Sequence, residues 1–235
     1  MFEVLQNRSQ IKKERKEMKL NGRSELKGPL VRWLRRKGLL SGLPIGDLVK
    51  SWDVSRTLSF IDENLPKDAA IVDLGSYCSE VPVSLASMGY INVTGVDLNP
   101  KNKIMPLADR VRYIVSDYMS TPFGSASFDA ITSISAIEHG YDPERLFSEV
   151  SRLLKPGGYF IASLDYWPEK INTANTRFFD MTWLIFSEKD VISMLKLANR
   201  HGLNPAGELH LNANEKAINC AGFDYTFGWL VLKKE

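Results

Sequence analysis

The sequence predicts an α/β fold built on a doubly wound, mostly parallel seven-stranded sheet, with an N-terminal helical extension. Short apolar runs alternate with segments of helical periodicity, and the links between them are short. The runs at 70–74 and 91–97 each deliver an acid, Asp73 or Asp97, at or near the end of a buried strand. Because ligands bind at the carboxyl ends of parallel strands, we expect both carboxylates to border one ligand site.

The length of 235 residues suits one sizeable α/β domain with an extension, which we place at 47–235 and 1–46. The formal net charge of +2 hides an asymmetry. Residues 1–37 hold twelve Lys/Arg and four Glu, a surplus of +8, so the remainder carries +2 − 8 = −6. We therefore expect a solvated basic arm with helical character ahead of a mildly acidic domain.

Residues 28–38 predict a short basic amphipathic helix, because Pro29 suits a first helical position and Gly38 suits a stop. Its apolar side carries Leu30, Val31, Trp33 and Leu34, and the other side carries Arg32, Arg35, Arg36 and Lys37. Such a helix could touch an anionic substrate, a membrane surface or RNA, or it could dock its apolar side on the domain. The sequence leaves these alternatives open.

The rest of the chain alternates between the two periodicities. Helical spacing, caps and stop residues predict helices at 47–65, 79–88, 142–154 and 187–202. Besides the first two, strands are predicted at 111–115, 128–134, 159–164, 206–212 and 225–233. Residues 165–186 are rich in aromatic side chains without clean periodicity. Trp52, on the helix before the first strand, predicts either a core residue or a lid over the ligand.

Five short motifs follow one another in a recognisable order. They are Val72-Asp73-Leu74-Gly75-Ser76, Gly95-Val96-Asp97, Ser116-Asp117 followed by Thr121-Pro122-Phe123, Ser127-Phe128-Asp129 leading into Ile137-Glu138-His139, and Leu154-Lys155-Pro156-Gly157-Gly158. Over about 47–235 the chain thereby resembles the class I S-adenosylmethionine (SAM)-dependent methyltransferases, especially the small-molecule group called type 11. It departs from the family's Gly-x-Gly-x-Gly turn, where Tyr77 and Ser79 replace two glycines.

The resemblance implies a Rossmann-like methyltransferase fold with SAM as cofactor. It implies that Asp97 accepts hydrogen bonds from the ribose hydroxyls and that Asp73 favours the cationic methionine end. Asp117 would accept from the adenine amine. The other cofactor contacts that it implies are Gly75, Ser76, Tyr77, Leu98, Ser116, Tyr118, Ser135 and Ala136.

On the acceptor side the resemblance points to Glu138 and His139. A histidine there could take a proton from a hydroxyl, and Glu138 would be structural or position the cofactor. The aromatic segment 165–186 is the candidate acceptor lid. We expect methyl transfer to a small-molecule or glycan-type acceptor at oxygen, with no metal site.

Two other functions stay open. The basic arm would suit an RNA methyltransferase, and the substituted glycine turn would suit a non-catalytic module of the same fold. Cys78 and Cys220 lack metal-ligand spacing, and no apolar run approaches a membrane span, so we expect free thiols and a cytoplasmic location. An oligomer, such as a homodimer formed through residues 1–43, is compatible with each function.

Overall fold

The computed structural model describes residues 1–235 and contains eleven strands and six helices. The strands are β1 (Phe2–Val4), β2 (Ala70–Leu74), β3 (Asn92–Asp97), β4 (Val111–Val115), β5 (Phe128–Ile134), β6 (Leu154–Tyr166), β7 (Arg177–Phe178), β8 (Met181–Thr182), β9 (Leu203–Pro205), β10 (Ile218–Cys220) and β11 (Phe223–Lys234). The helices are α1 (Arg8–Leu20), α2 (Pro29–Arg36), α3 (Ser51–Asn64), α4 (Val81–Ser87), α5 (Pro143–Leu153) and α6 (Glu188–Arg200), with a 3₁₀ turn at Pro100–Ile104.

The central sheet runs in the order β1-β11-β6-β5-β2-β3-β4, and β9 and β10 also pair with β11. Strands β2 to β6 pair in parallel, whereas β11 is antiparallel to β6. Two large apolar clusters form the core. The strand order reverses between β2 and β5, which is where ligands bind in open sheets of this kind. The predicted α/β fold with a mostly parallel sheet is confirmed.

The seventh strand of the sheet is β1, and the predicted strand at 206–212 is wrong. In that stretch only Leu209 forms an isolated bridge, and it does so with Phe2. Phe2 is fully buried and meets the Tyr166 ring edge-on at 5.3 Å. Gly228 makes room for it, since a Cβ there would lie 2.4 Å from Phe2 Cζ. The start of the chain therefore takes the place expected of a later segment.

The expectation of a solvated arm is also wrong for residues 1–20. Helix α1 packs on α3 and buries Ile11, Arg15 and Met18. The Arg15 guanidinium donates to both carboxylate oxygens of Glu80 at 2.7 Å, and both side chains are buried. Apolar positions spaced along a charged helix were too sparse to predict this docking. The boundary at 46/47 stays a prediction.

Helix α2 contributes no fully buried residue, and Val31 and Leu34 are half-buried, so its apolar side is only partly covered. None of the helices combines the length and apolar composition that crossing a membrane requires.

Candidate active site

A cavity of about 980 Å³ opens at the carboxyl ends of the parallel strands. The predicted site residues that line it are Gly75, Tyr77, Asp97, Leu98, Tyr118, Ser135, Ala136, Glu138 and His139. The predicted residues outside its lining are Asp73, Ser76, Ser116 and Asp117. The turn after β2 and the loop after β5 thus meet across one space, but Asp73, which we expected to border the ligand site with Asp97, does not line it.

The turn at Gly75 requires glycine. Its φ of +83° lies in the left-handed region, and a Cβ there would lie 2.6 Å from the Cβ of Ala136. The N–H groups of Gly75 and Ser76 both donate to the carbonyl of Val96. The Ser76 side chain points beneath the turn, where its hydroxyl bonds to the side-chain oxygen of Asn102 at 3.0 Å. Ser76 therefore supports the turn from behind.

Tyr77 replaces a glycine of the family pattern without filling the turn. Its ring packs against the apolar cluster of Ile45, Val83 and Met105 at the side of the cavity. The next residue, Cys78, adopts a φ of +60°, and its N–H points to the sulfur of Met105 at 3.3 Å. The left-handed conformation that a glycine would adopt freely is thus held by a residue with a side chain.

Asp97 ends β3 and faces the cavity. One carboxylate oxygen accepts from the N–H of Tyr77 at 2.9 Å, and the other accepts from the N–H of Asn99 at 2.8 Å. A carboxylate offers about four acceptor positions, so both oxygens can accept a further hydrogen bond from a ligand. The next residue, Leu98, is exposed at the cavity edge.

Asp73 lies behind the Gly75 turn and is fully buried. Its Oδ1 accepts from the Thr132 hydroxyl at 2.6 Å, and its Oδ2 has no partner. Burial, together with the nearby charge of Asp97, raises the pKa of Asp73 to about 7. An unpartnered buried acceptor beside the turn would gain from a cationic ligand or an ordered water.

The three residues after β4 divide between two environments. The Asp117 carboxylate accepts from Arg145 at 2.8 Å and from the N–H of Met119 at 2.8 Å. Ser116 bonds to the backbone of this same loop, away from the cavity. Tyr118 lines the cavity, and its hydroxyl lies 3.4 Å from the carbonyl of Ala136. Only Tyr118 of this group therefore borders the ligand space directly.

The loop after β5 forms the opposite wall. Ser135 adopts a φ of +46°, and its N–H donates to the Ser163 hydroxyl at 3.0 Å. The His139 ring meets Phe178 and Phe179 edge-on at 5.8 and 5.5 Å, and its Nδ1 is buried without a partner. Burial, reinforced by the charge of Lys50, lowers the pKa of His139 to about 4. His139 is therefore neutral at pH 7.

A group of buried carboxyls lies at this wall, and two of its members, Asp53 and Asp165, were missed from the sequence. Burial raises the pKa of Asp53 and of Asp165 to about 6, and it raises the pKa of Glu138 well above its usual range. Lys50 opposes all three shifts with its charge, and it lines the cavity with Glu138 and Asp165. Asp165 could have been found, since it comes near the end of β6 just as Asp97 ends β3.

The aromatic segment closes the same end of the cavity. Phe178, Phe179, Met181 and Trp183 line it, and the indole N–H of Trp183 donates to Asp165 at 2.7 Å. Backbone hydrogen bonds join this segment to the loop after β5, including Gly140 N–H to Thr182 O at 2.8 Å. Trp52 is instead a fully buried core residue.

These features fit SAM on physical grounds. The volume is adequate for a cofactor and a second small molecule. The Gly75 turn leaves the space that a Cβ would fill, and Asp97 offers a carboxylate to a diol. Asp73, whose Oδ2 has no partner, lies behind the turn and outside the lining, so an ordered water would have to relay it to the cationic end of the cofactor.

Residues 72–162 match the family described as "Methyltransferase domain". Among curated proteins, "Sterol methyltransferase-like 1" from Botryococcus braunii is 33% identical over 98 residues, which is 38% of this chain and 25% of that protein. The chain thus spans only a quarter of that relative's length. The matched segment carries the cofactor half of the cavity and ends before the aromatic segment.

Solved structures share the fold at low identity. The 1,6-didemethyltoxoflavin-N1-methyltransferase from Burkholderia thailandensis, solved with S-adenosylhomocysteine, aligns with a TM-score of 0.59 at 19% identity, over 77% of this chain and 78% of that one. The "[4+2]-Cyclase SpnF" aligns with a TM-score of 0.63 at 16% identity, over 80% and 84%. The family match and these neighbours confirm the predicted resemblance and fold and support SAM as cofactor.

Proposed function

We propose that this methyltransferase domain transfers a methyl group from SAM to a small-molecule acceptor. The observation that carries the proposal is one continuous cavity with two chemically different ends. Gly75 and Asp97 border the end suited to a nucleoside and an amino acid. The other end has His139, Asp165 and the aromatic side chains. Such a layout suits a reaction that brings two small molecules together.

On the cofactor side, Asp97 would bind the ribose hydroxyls, and the Gly75 turn would hold the methionine portion. Tyr118 and Leu98 would flank the adenine. Asp117 lies outside the cavity lining and is paired with Arg145, so we assign it a secondary role toward the adenine amine. Bound SAM supplies an electrophilic methyl group on a sulfonium. The chain's own part is to hold the two molecules in line and to exclude water.

On the acceptor side, the proposal keeps oxygen as the receiving atom. A hydroxyl that accepts a methyl group must lose its proton, and the best base has a pKa near the working pH. Asp165, with its pKa raised to about 6, meets this condition better than His139, whose pKa is lowered to about 4. We therefore assign proton removal to Asp165 and acceptor contact to neutral His139, with Glu138, whose pKa is raised by burial, beside them.

The aromatic lining favours an acceptor with an apolar body. Phe178, Phe179 and Trp183 present ring surfaces, which enclose apolar or sugar-like groups alike. A glycan-type acceptor remains within this proposal, but no polar cluster beyond the carboxyls favours it.

A carbon acceptor is the second candidate, and the relatives favour it. The matched proteins include "Sterol 24-C-methyltransferase" from Yarrowia lipolytica, 30% identical over 98 residues. Buried carboxyls near the cavity would also suit the positive charge that develops when an alkene carbon attacks the methyl group. The sterol relatives match over only about two fifths of this chain or less, so their acceptors transfer only as a hypothesis.

Titration of SAM and S-adenosylhomocysteine into the protein tests the cofactor assignment. Asp97→Ala should weaken SAM binding by roughly tenfold or more, since it removes hydrogen bonds to a charged acceptor. His139→Ala should change it less than Asp97→Ala, and Asp109→Ala, an exposed acid outside the cavity lining, serves as matched control. No binding at millimolar SAM would support the non-catalytic module instead.

The acceptor atom can be tested before the acceptor itself is identified. Cell extract is incubated with the protein and SAM labelled in the methyl group, and the labelled product is heated in hydriodic acid. That acid releases O-methyl groups as methyl iodide and leaves C-methyl groups in place. Volatile label supports oxygen, and retained label on a lipid supports carbon. Label on RNA would support the alternative that uses the basic arm.

A further inference from the structure

Helix α2 and the turn after it expose large apolar side chains to solvent. Trp33 is 52% exposed and Leu39 is 67% exposed, and Leu30 and Leu40 are exposed beside them. A helix on the surface of a globular domain usually turns such side chains toward the core. This helix does the reverse.

Two arginines of the segment 27–46 donate to carbonyls of that same segment, and the Gly46 backbone ties it to the domain. Arg32 donates to the carbonyl of Gly46 at 2.7 Å, and Gly46 in turn donates to the carbonyl of Cys78 at 2.8 Å. Arg35 donates to the carbonyls of Ser41 and Leu43. Polar contacts thus hold the helix against the turn after it, with Leu30, Trp33, Leu39 and Leu40 exposed to solvent and Val31 and Leu34 half-buried.

The exposed surface is basic. Residues 27–47 contain five Lys/Arg and one acid, Asp47, which lies 3.5 Å from Arg32 and 3.8 Å from Arg36. Lys27, just before helix α2, and Lys37, just after it, are both exposed. The 3₁₀ turn at Pro100–Ile104 adds exposed Lys101 and Lys103.

The same surface borders the mouth of the cavity. Arg36 of helix α2 and Pro44 of the turn after it line the cavity. So do Pro100, which begins the 3₁₀ turn, and Leu98, just before it. Leu98 is 55% exposed, and Phe179, which also lines the cavity, is 79% exposed. Ile104 is exposed on the 3₁₀ turn. Apolar and basic side chains thus surround one opening, which we call the rim surface.

We propose that the rim surface binds the surface of an anionic phospholipid bilayer. Leucine and tryptophan side chains flanked by lysines insert into the boundary between headgroups and acyl chains, and the lysines pair with anionic headgroups. An RNA partner would use the arginines, but Arg32 and Arg35 already donate to backbone carbonyls and Arg36 lies 3.8 Å from Asp47. It would also leave the leucines uncovered. Charge and apolarity together fit a membrane surface.

Docking in this way would turn the cavity mouth toward the bilayer. An amphiphilic acceptor could then enter the cavity from the membrane without crossing water. This step rests on the proposed function. Docking itself can be measured without any methyl transfer. Failure of docking and failure of the proposed function are therefore distinguishable, because SAM titration involves no lipid.

The test is co-sedimentation of the full chain with vesicles of phosphatidylcholine alone or mixed with phosphatidylserine. Binding is expected with the mixed vesicles, and it should weaken with salt. Leu39→Ser/Leu40→Ser should lower the bound-to-free ratio by roughly tenfold or more. Lys27→Gln/Lys37→Gln should lower it by roughly fivefold for each charge removed. Circular dichroism verifies that each variant is folded.

Ile91→Ser is the matched control. Ile91 is exposed but lies just before β3, at the opposite edge of the sheet from the cavity, so its loss should leave vesicle binding unchanged. The proposal is overturned if the unmodified protein ignores mixed vesicles or if Leu39→Ser/Leu40→Ser binds them equally well. Binding of single-stranded RNA to the rim surface in the absence of lipid also overturns it. So does a dimer, seen by analytical sedimentation, that Leu39→Ser/Leu40→Ser abolishes.

Discussion

Replacing Arg15 with methionine should strongly destabilise the fold. The guanidinium donates to both oxygens of Glu80 at 2.7 Å, to the Ser24 hydroxyl at 2.6 Å and to the Ser51 hydroxyl at 2.9 Å. Without it, Oε1 of Glu80 keeps the hydroxyl of Ser24 and the N–H groups of Glu25 and Leu26. Its Oε2 loses its protein donor.

Removing one partner of a buried ion pair typically costs about 3–5 kcal/mol, because the other charge stays buried without compensation. The three donors left on Glu80 place the expected loss near the lower end, at about 3–4 kcal/mol. For a chain of this size that is a fall in Tm of about 6–16 °C. Urea unfolding followed by circular dichroism measures it directly.

Two variants complete the test. Arg15→Met/Glu80→Met removes both charges and should recover part of the loss, since two apolar side chains can replace a buried pair at little cost. Lys13→Met breaks an exposed pair with Glu17 and should stay within about 0.5 kcal/mol of the parent. A loss below about 1 kcal/mol for Arg15→Met would refute the argument and would mean that α1 is held by apolar contacts alone.

Two further changes test the turn and the acid behind it. Gly75→Ala should weaken SAM binding by roughly tenfold or more, because its Cβ would collide with Ala136 at a φ of +83°; Gly89→Ala, with φ +90° and open space around it, should leave titrated affinity unchanged. The raised pKa of Asp73, about 7, means that the native state holds this proton more tightly than the unfolded state, so its contribution to stability is lost as pH rises from about 4 to 7. Asp73→Asn should escape that loss, so its free energy of unfolding relative to the parent should rise by about 2–4 kcal/mol between pH 4 and pH 8. A difference that is flat with pH contradicts the reasoning.

The parallel strands were predictable because their signal is local. Strands β2, β3 and β5 are each a short apolar run that ends at an acid or a turn, so the whole signal is contained in a few consecutive residues. Strand β1 has three residues, and its pairing depends on β11 at the far end of the chain. Nothing in its immediate neighbours marks a strand. The run at 206–212 shows that a local signal can also mislead. Its composition is β-like, yet it forms only an isolated bridge, between Leu209 and Phe2.

The cofactor half of the site was predictable for the same reason, because Asp97 and Gly75 belong to short motifs at strand ends. The acceptor half depends on packing between distant segments. Asp53 on α3 meets the hydroxyl of Ser163, 110 residues later, at 2.7 Å. Asp117 satisfied its motif yet pairs with Arg145 on α5, a contact that no spacing rule specifies. Orientation of a side chain is thus decided by neighbours that the motif does not contain.

The pairing of β1 with β11 has a consequence for biosynthesis. Phe2 lies opposite Leu230, so 228 positions (230 − 2) separate the partners. At ~5–20 residues per second, the ribosome needs on the order of 10–50 s to make the intervening chain. Throughout that interval Phe2 and Leu5, which end fully buried, have no strand to cover them. Apolar side chains of residues 1–5 thus stay exposed to solvent until β11 has been synthesised. A chaperone that shields these residues would raise the yield of folded protein.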